Sequence, residues 1–143
     1  MNLFSEAETV ALGEKIAKSL KSGAFIALTG DLGAGKTVFV KGLAQGLNVK
    51  ERIVSPTYTI MCQYFGDKML CHFDLYRITE DDCYDMGFDD YFFDEAVVCA
   101  VEWSERLTSL PPKVIRVDIK KTGDLSREIT VNDENCLLKE ELK

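Results

Sequence analysis

The chain has 143 residues and a net charge of −7, with 24 Asp and Glu against 17 Lys and Arg. That length suits one domain over residues 1–143, with a core that needs no disulfide staples. The excess acid opposes direct binding to a polyanion unless the fold gathers a basic patch, and no cluster of Lys and Arg announces one. No apolar run is long enough to cross a membrane. The opening residues MNLFSEAETV carry acid where a secretory leader needs base and a greasy run, so a cytoplasmic protein is expected. Cys62, Cys71, Cys83, Cys99 and Cys136 are odd in number, lack C-x-x-C spacing and mostly lie in apolar runs, which reads as buried free thiols in a reducing compartment.

Along the chain, Ser5 with Glu8 resembles a capping box, and Leu12, Ile16 and Leu20 recur at helical spacing until Ser22-Gly23. AFIALT, from Ala24 to Thr29, is a short apolar run between glycines, as a strand buried on both faces requires. From Lys36 the pattern turns helical again, with Phe39, Leu43 and Leu47 on one side. A β-rich run from Tyr58 and a second run, KMLCHFDLYR, flank a turn at Gly66-Asp67 and predict a hairpin. EDDCYDMGFDDYF predicts a short helix ending at Gly87. AVVCAVEW predicts another buried strand, and VIRVDI with REITV a closing hairpin around Gly123. The charged tail after Asn132 is expected to be frayed or loosely helical.

Gly30, Asp31, Leu32, Gly33, Ala34, Gly35, Lys36 and Thr37 match G-x-x-x-x-G-K-[ST] between a predicted strand and a predicted helix, the context such a motif requires. A turn this rich in glycine loses much backbone entropy on folding. Phosphate binding offsets that loss: small residues let successive N–H groups converge, and the start of the next helix adds its positive end. Lys36 would then reach the β- and γ-phosphates, and Thr37 would offer its hydroxyl to Mg²⁺. A tight strand-to-helix turn with a solvated lysine is the bland alternative, which the full pattern in its context disfavours.

A phosphate cradle calls for a carboxylate near the metal, at the C-terminal end of a neighbouring strand. Asp74 after MLCHF and Glu102 after AVVCAV both fit; either could instead be a structural acid, pairing with Arg77 or capping a helix. Ser55, Thr57 and Thr59 cluster in a loop whose hydroxyls could sense the γ-phosphate or hold the attacking water, or could simply form a turn entering a strand. His72, two residues before Asp74, would share its face and could orient that acid, or be a satisfied core histidine. Trp103 could wall the pocket, although filling core suits it somewhat better.

The set GDLGAGKT, SPTYT, HFDLYR, MGFDDYF and VEWSERL, in this order, closely resembles the TsaE family of small bacterial ATPases that assist the threonylcarbamoyl modification of tRNA. The likeness runs from about Ser5 to Arg127. It implies an α/β P-loop NTPase fold, a three-layer sandwich around a mixed, mainly parallel sheet. It also implies Mg²⁺-dependent ATP hydrolysis within a complex with TsaB and TsaD, with tRNA met only through those partners. By the resemblance, Thr37 and Glu102 are the Mg²⁺ ligands, Asp74 positions or activates the water, and Thr57 lies in a switch-like loop. Asp31 through Val38 cradle the phosphates, while Glu6, Asp118 and Arg127 close the nucleotide site from the N-terminal segment and the late hairpin. Two departures stand out. Val38 replaces a commonly found threonine and loses a hydroxyl that could touch the α-phosphate; Asp82 and Cys83 stand where relatives tend to carry Glu and Leu, which weakens any partner contact made there.

Two other functions compete with a complex-dependent ATPase. A small-molecule kinase would want an arginine-rich lid, but the arginines at 52, 77, 106, 116 and 127 are dispersed. A non-catalytic, nucleotide-gated adaptor would use the same cradle without turnover. No N-K-x-D occurs to read a guanine.

Overall fold

The computed structural model describes residues 1–31, 33–133 and 137–138. In chain order they form β1 (Asn2–Leu3), α1 (Glu6–Ser19), β2 (Ala24–Thr29), α2 (Lys36–Gly46), β3 (Met61–Phe65), β4 (Met69–Asp74), α3 (Glu80–Asp85), α4 (Phe88–Phe92), β5 (Val97–Glu102), β6 (Val114–Lys121) and β7 (Arg127–Asn132), with a 3-10 turn at Ser104–Arg106. Seven strands make one mixed sheet in the order β1-β7-β6-β2-β5-β4-β3. The inner strands β6, β2, β5 and β4 run parallel, and antiparallel pairings add β3 at one edge and β7 and β1 at the other.

Strand alternation builds a core on each face of the sheet. Ala24, Ile26 and Leu28 of β2 join Val98 and Ala100 of β5 in packing against Leu12 and Ile16 of α1 and Phe39 and Leu43 of α2. The intervening Phe25 and Ala27, with Phe73 of β4 and Val101 of β5, turn to the other face and meet Phe88 and Phe92 of α4. Phe92 stands edge-on to both Phe25 and Phe73, at ring separations of 5.4 and 4.9 Å. Helices therefore cover the sheet on both sides, giving three layers.

Several local details differ from the sequence reading. Ser5 does cap α1, its Oγ accepting from the Glu8 N–H at 3.2 Å, but the Glu8 carboxylate accepts from Phe4 N–H, one residue earlier than in a regular capping box. That helix stops at Ser19 because Leu20 is already extended and bridges to Leu138. The strand expected from Tyr58 starts at Met61, since Ile60 has φ 71° and its N–H is tied back to the Pro56 carbonyl at 2.7 Å. The acidic segment forms two helices: Gly87, at φ 75°, turns the chain from α3 into α4. The two-residue β1 has no sequence signal of its own, and exists by pairing with Arg127 and Glu128 at the far end of the chain.

Cys62, Cys71, Cys83 and Cys99 are free thiols; the last three are buried, while Cys62 is only half-buried. Burial pushes the Cys71 thiol up to about 12, and burial with the Asp82 charge pushes Cys83 up to about 11, so neither ionises at neutral pH. Cys136 and most of the tail lie outside the described residues. No helix among the described residues is long and apolar enough to cross a membrane.

Candidate functional site

The C-terminal ends of β2, β4 and β5 open onto one cleft of about 1070 Å³, which the loop from Gly30 to Gly35 borders. Gly30 has φ 153°, and a Cβ there would sit 2.6 Å from the Ile119 carbonyl of β6, so no larger residue fits the exit from β2. Gly35, at φ 106°, caps α2 with no side chain, leaving the first N–H groups of the helix free to face the cleft. The Lys36 ammonium donates to the Gly30 carbonyl at 2.8 Å and lies 3.3 Å from Oε1 of Glu102.

Parallel register sets the two strand-end acids side by side: β4 and β5 pair with Asp74 opposite Glu102. Both side chains point to the α1–α2 face, the face of Leu70, Val98 and Ala100, and both residues are buried. They are held differently. Asp74 Oδ1 accepts from the Tyr76 N–H at 3.0 Å, whereas Glu102 is gripped by Lys36 on one oxygen and by His72 Nε2, at 2.7 Å, on the other. His72 therefore does not orient Asp74 but reaches diagonally across to Glu102; the residue level with it is Ala100, whose methyl leaves room for the ring.

The two environments push the acids in opposite directions. For Asp74, burial raises the pKa and the Glu102 charge adds to it, against the Tyr76 N–H, Lys36 and His72. Burial acts on Glu102 as well, but the contacts from His72 and Lys36 outweigh it and its pKa is lowered.

Asp31, Gly33, Gly35, Lys36, Thr37, Val38, Thr57, Asp74, Glu102, Glu6, Asp118 and Arg127 all line the cleft. Ala34 is buried just behind it, and Leu32 lies outside the described residues. The late hairpin is tied directly to the glycine loop. Arg127 donates from Nε to the Ala34 carbonyl at 2.7 Å and from its guanidinium to the Gly123 and Ser126 carbonyls at 3.0 and 2.8 Å. Asp118 accepts from the Thr29 hydroxyl at 2.8 Å. Ser55 and Thr57 share a hydroxyl hydrogen bond of 2.7 Å and line the cleft, whereas Thr59 turns away to Cys62.

Trp103 is a wall of the cleft and not a core residue. It is 38% exposed, holds a left-handed φ of 63°, and its ring lies 4.9 Å from that of Tyr76 at an interplanar tilt of 51°, with Arg106 over both rings. Tyr76 and Arg77 also line the cleft, a role the sequence reading does not give them; their signal is that they close the HFDLYR motif just after Asp74. Arg77 does not pair with Asp74; its guanidinium lies over Tyr58 and donates to the Thr57 carbonyl at 3.5 Å. Among the described residues no three His, Cys, Asp or Glu converge to make a complete protein cage for a metal ion.

The profile of the family described as "Threonylcarbamoyl adenosine biosynthesis protein TsaE" matches residues 3–129. The chain belongs to the TsaE family. Among curated TsaE proteins, that of Treponema pallidum is 40% identical over 129 residues, covering 89% of this chain and 95% of its own. That of Bacillus subtilis is 44% identical over 125 residues, covering 86% and 78%. Both are named as tRNA threonylcarbamoyladenosine biosynthesis proteins. The crystal structure of YdiB from Bacillus subtilis superposes with a TM-score of 0.80 at 36% identity, covering 99% of this chain and 88% of that one. The TsaE profile thus spans the glycine loop, both strand-end acids and the late hairpin as far as the middle of β7.

Proposed function

We propose that this chain is a single-domain, cytoplasmic P-loop ATPase that hydrolyses ATP with Mg²⁺ in support of tRNA threonylcarbamoyladenosine synthesis, in a complex with TsaB and TsaD. The observation that carries the reading is the convergence on one cleft of the glycine loop, Lys36, and the adjacent carboxylates Asp74 and Glu102. The family membership supplies the pathway. The acidic net charge of −7 supports the view that tRNA is held by the partners.

In this reading the N–H groups from Asp31 to Val38, Leu32 among them, and the N-terminal end of α2 bind the phosphates, and Lys36 exchanges Gly30 and Glu102 for phosphate oxygens. The donor set suits Mg²⁺: the Thr37 hydroxyl and the Glu102 carboxylate, both lining the cleft, would hold it, and so few protein oxygens match the preference of Mg²⁺ for one or two carboxylates rather than a full protein cage. The chemistry the cation would supply there is neutralisation of charge on the β- and γ-phosphates. Asp74, with its raised pKa, accepts the proton of the attacking water, and Thr57 helps position that water. Glu6, Asp118 and Arg127 close the far end of the site.

The test is steady-state hydrolysis by the purified chain, alone and with TsaB, TsaD and tRNA, with Asp74→Asn as control. Stimulation by the partners that the variant loses is the expected result. Nucleotide binding without turnover in every mixture would overturn the ATPase and leave the nucleotide-gated adaptor.

A further inference from the structure

We infer that His72 is the positioning residue for Glu102, holding one carboxylate oxygen so that the other is presented to Lys36 and to the divalent cation. The inference rests on the proposed role of Glu102 as a metal ligand and goes one residue beyond it.

His72 is fully buried on an inner strand, at 0% exposure, on the face it shares with Leu70, Val98 and Ala100. A polar ring there forfeits hydration and is tolerated only where it is paired. Its pairing is half complete: Nε2 meets Glu102 Oε2 at 2.7 Å, while Nδ1 finds no partner among the described residues. The contact with Glu102 is therefore the one polar function the ring performs at this position. A carboxylate only accepts, so in this contact Nε2 is the donor.

The direction of that contact is what matters for the cleft. Glu102 is the last residue of β5, where side-chain rotation would let both oxygens swing onto Lys36 as a closed ion pair. With Oε2 taken by His72, the Lys36 ammonium reaches Oε1 alone, at 3.3 Å. Both strands are interior to the sheet and packed by α2, so the donor and the acceptor are fixed relative to one another. Hydrogen-bonding partners that hold a ligand in this way set metal affinity without touching the metal.

The experiment measures Mn²⁺ binding, as free Mn²⁺ by electron paramagnetic resonance, to the full chain saturated with the imido analogue of ATP. The variants are E102Q, H72Q, H72N and H72F. The three changes at His72 differ in where they leave a donor: the amide nitrogen of H72Q falls near the His72 Nε2 position, that of H72N falls near Nδ1, and H72F offers none. H72N and H72F are expected to weaken Mn²⁺ binding about 10- to 100-fold, and H72Q to restore it to within a few-fold of the wild type. Equal weakening by H72Q, H72N and H72F would overturn the proposal in favour of packing. Wild-type affinity in H72F or H72N, with E102Q weakened, would also overturn it while leaving Glu102 a ligand. An unchanged affinity in E102Q would instead remove Glu102 from the metal and with it the reading beneath.

Discussion

Gly13→Ala tests whether the spacing of the two helices under the sheet governs the nucleotide site. Gly13 lies on the buried side of α1, and a Cβ built there would stand 2.5 Å from the Phe39 carbonyl and 3.0 Å from Gly42 Cα and Leu43 N. All three atoms belong to the backbone of α2, so no side chain can rotate away, and the helices must separate. Overpacking of this kind costs about 1–3 kcal/mol, with backbone contacts pointing to the upper part of that range. Replacing a helical glycine returns about 1 kcal/mol of propensity. The net is a destabilisation of roughly 1–2 kcal/mol, or a fall in melting temperature of about 2–8 °C for a domain of this size.

Ala11→Gly, on the exposed side of the same helix, isolates the propensity contribution and is expected to cost about 1 kcal/mol. Because α2 begins at Lys36 and Thr37, displacement of that helix also moves the end that faces the cleft. Thermal melting and nucleotide titration, run side by side, read both effects. A Gly13→Ala protein more stable than the wild type would refute the packing reasoning. Lower stability with unchanged nucleotide affinity would refute the link from helix spacing to the loop.

Lys36→Ala is expected to abolish measurable nucleotide binding while the fold persists, and retained binding by calorimetry would remove Lys36 from the phosphates. Arg127→Lys keeps the charge but not the guanidinium fork that spans the Ala34, Gly123 and Ser126 carbonyls, so it should weaken nucleotide binding nearly as much as Arg127→Ala; wild-type affinity would show that charge alone suffices. Trp103, being the sole tryptophan and part of the cleft wall, should change its fluorescence when nucleotide binds, and a flat titration would place the ligand elsewhere. The Glu80 carboxyl is held below its ordinary value of 4.5 by the Thr108 hydroxyl and N–H. A lowered folded-state pKa stabilises above the unfolded value and is lost as pH falls through the folded one. The melting-temperature gap between wild type and Glu80→Gln should therefore be constant near neutrality and close below about pH 4.5. A gap unchanged down to strong acid would contradict this.

Much of the site is legible because the chain punctuates it. Gly23 and Gly30 bracket β2, whose bounds the apolar run AFIALT marks residue for residue, and the step to Lys36 carries the glycine loop between them and α2. Asp74 and Glu102 are recognisable as strand-end acids because each follows an uninterrupted apolar run. What no local pattern contains is register. That Asp74 lies opposite Glu102, and that His72 therefore serves the acid on the next strand and not the one two residues along, depends on the parallel pairing of β4 with β5. The same holds for β1, which is a strand only because β7 supplies its partner. Trp103 departs from expectation for a different reason: residue type favours burial, but its left-handed backbone at the end of β5 turns the ring out beside Tyr76.

The asymmetry between the two acids follows from who reaches them. Lys36 and His72 both pair directly with Glu102, and neither forms a hydrogen bond or ion pair with Asp74, although the carboxylates are neighbours across one strand pairing. Glu102 thereby stays charged despite its burial, and its charge helps to raise the pKa of Asp74. A pair of acids separated in this way suits two tasks, one a permanent negative ligand and the other a better proton acceptor. Lys36 joins those tasks in the proposed reading. When it leaves Glu102 for a phosphate, the buried carboxylate keeps only His72 beside it, an unfavourable state for a charge removed from water. Under that proposal a divalent cation held by Thr37 and Glu102 would supply the positive charge that the ammonium withdraws. Nucleotide and cation are therefore expected to bind as a unit, because each would remove a cost that the other alone would leave at Glu102.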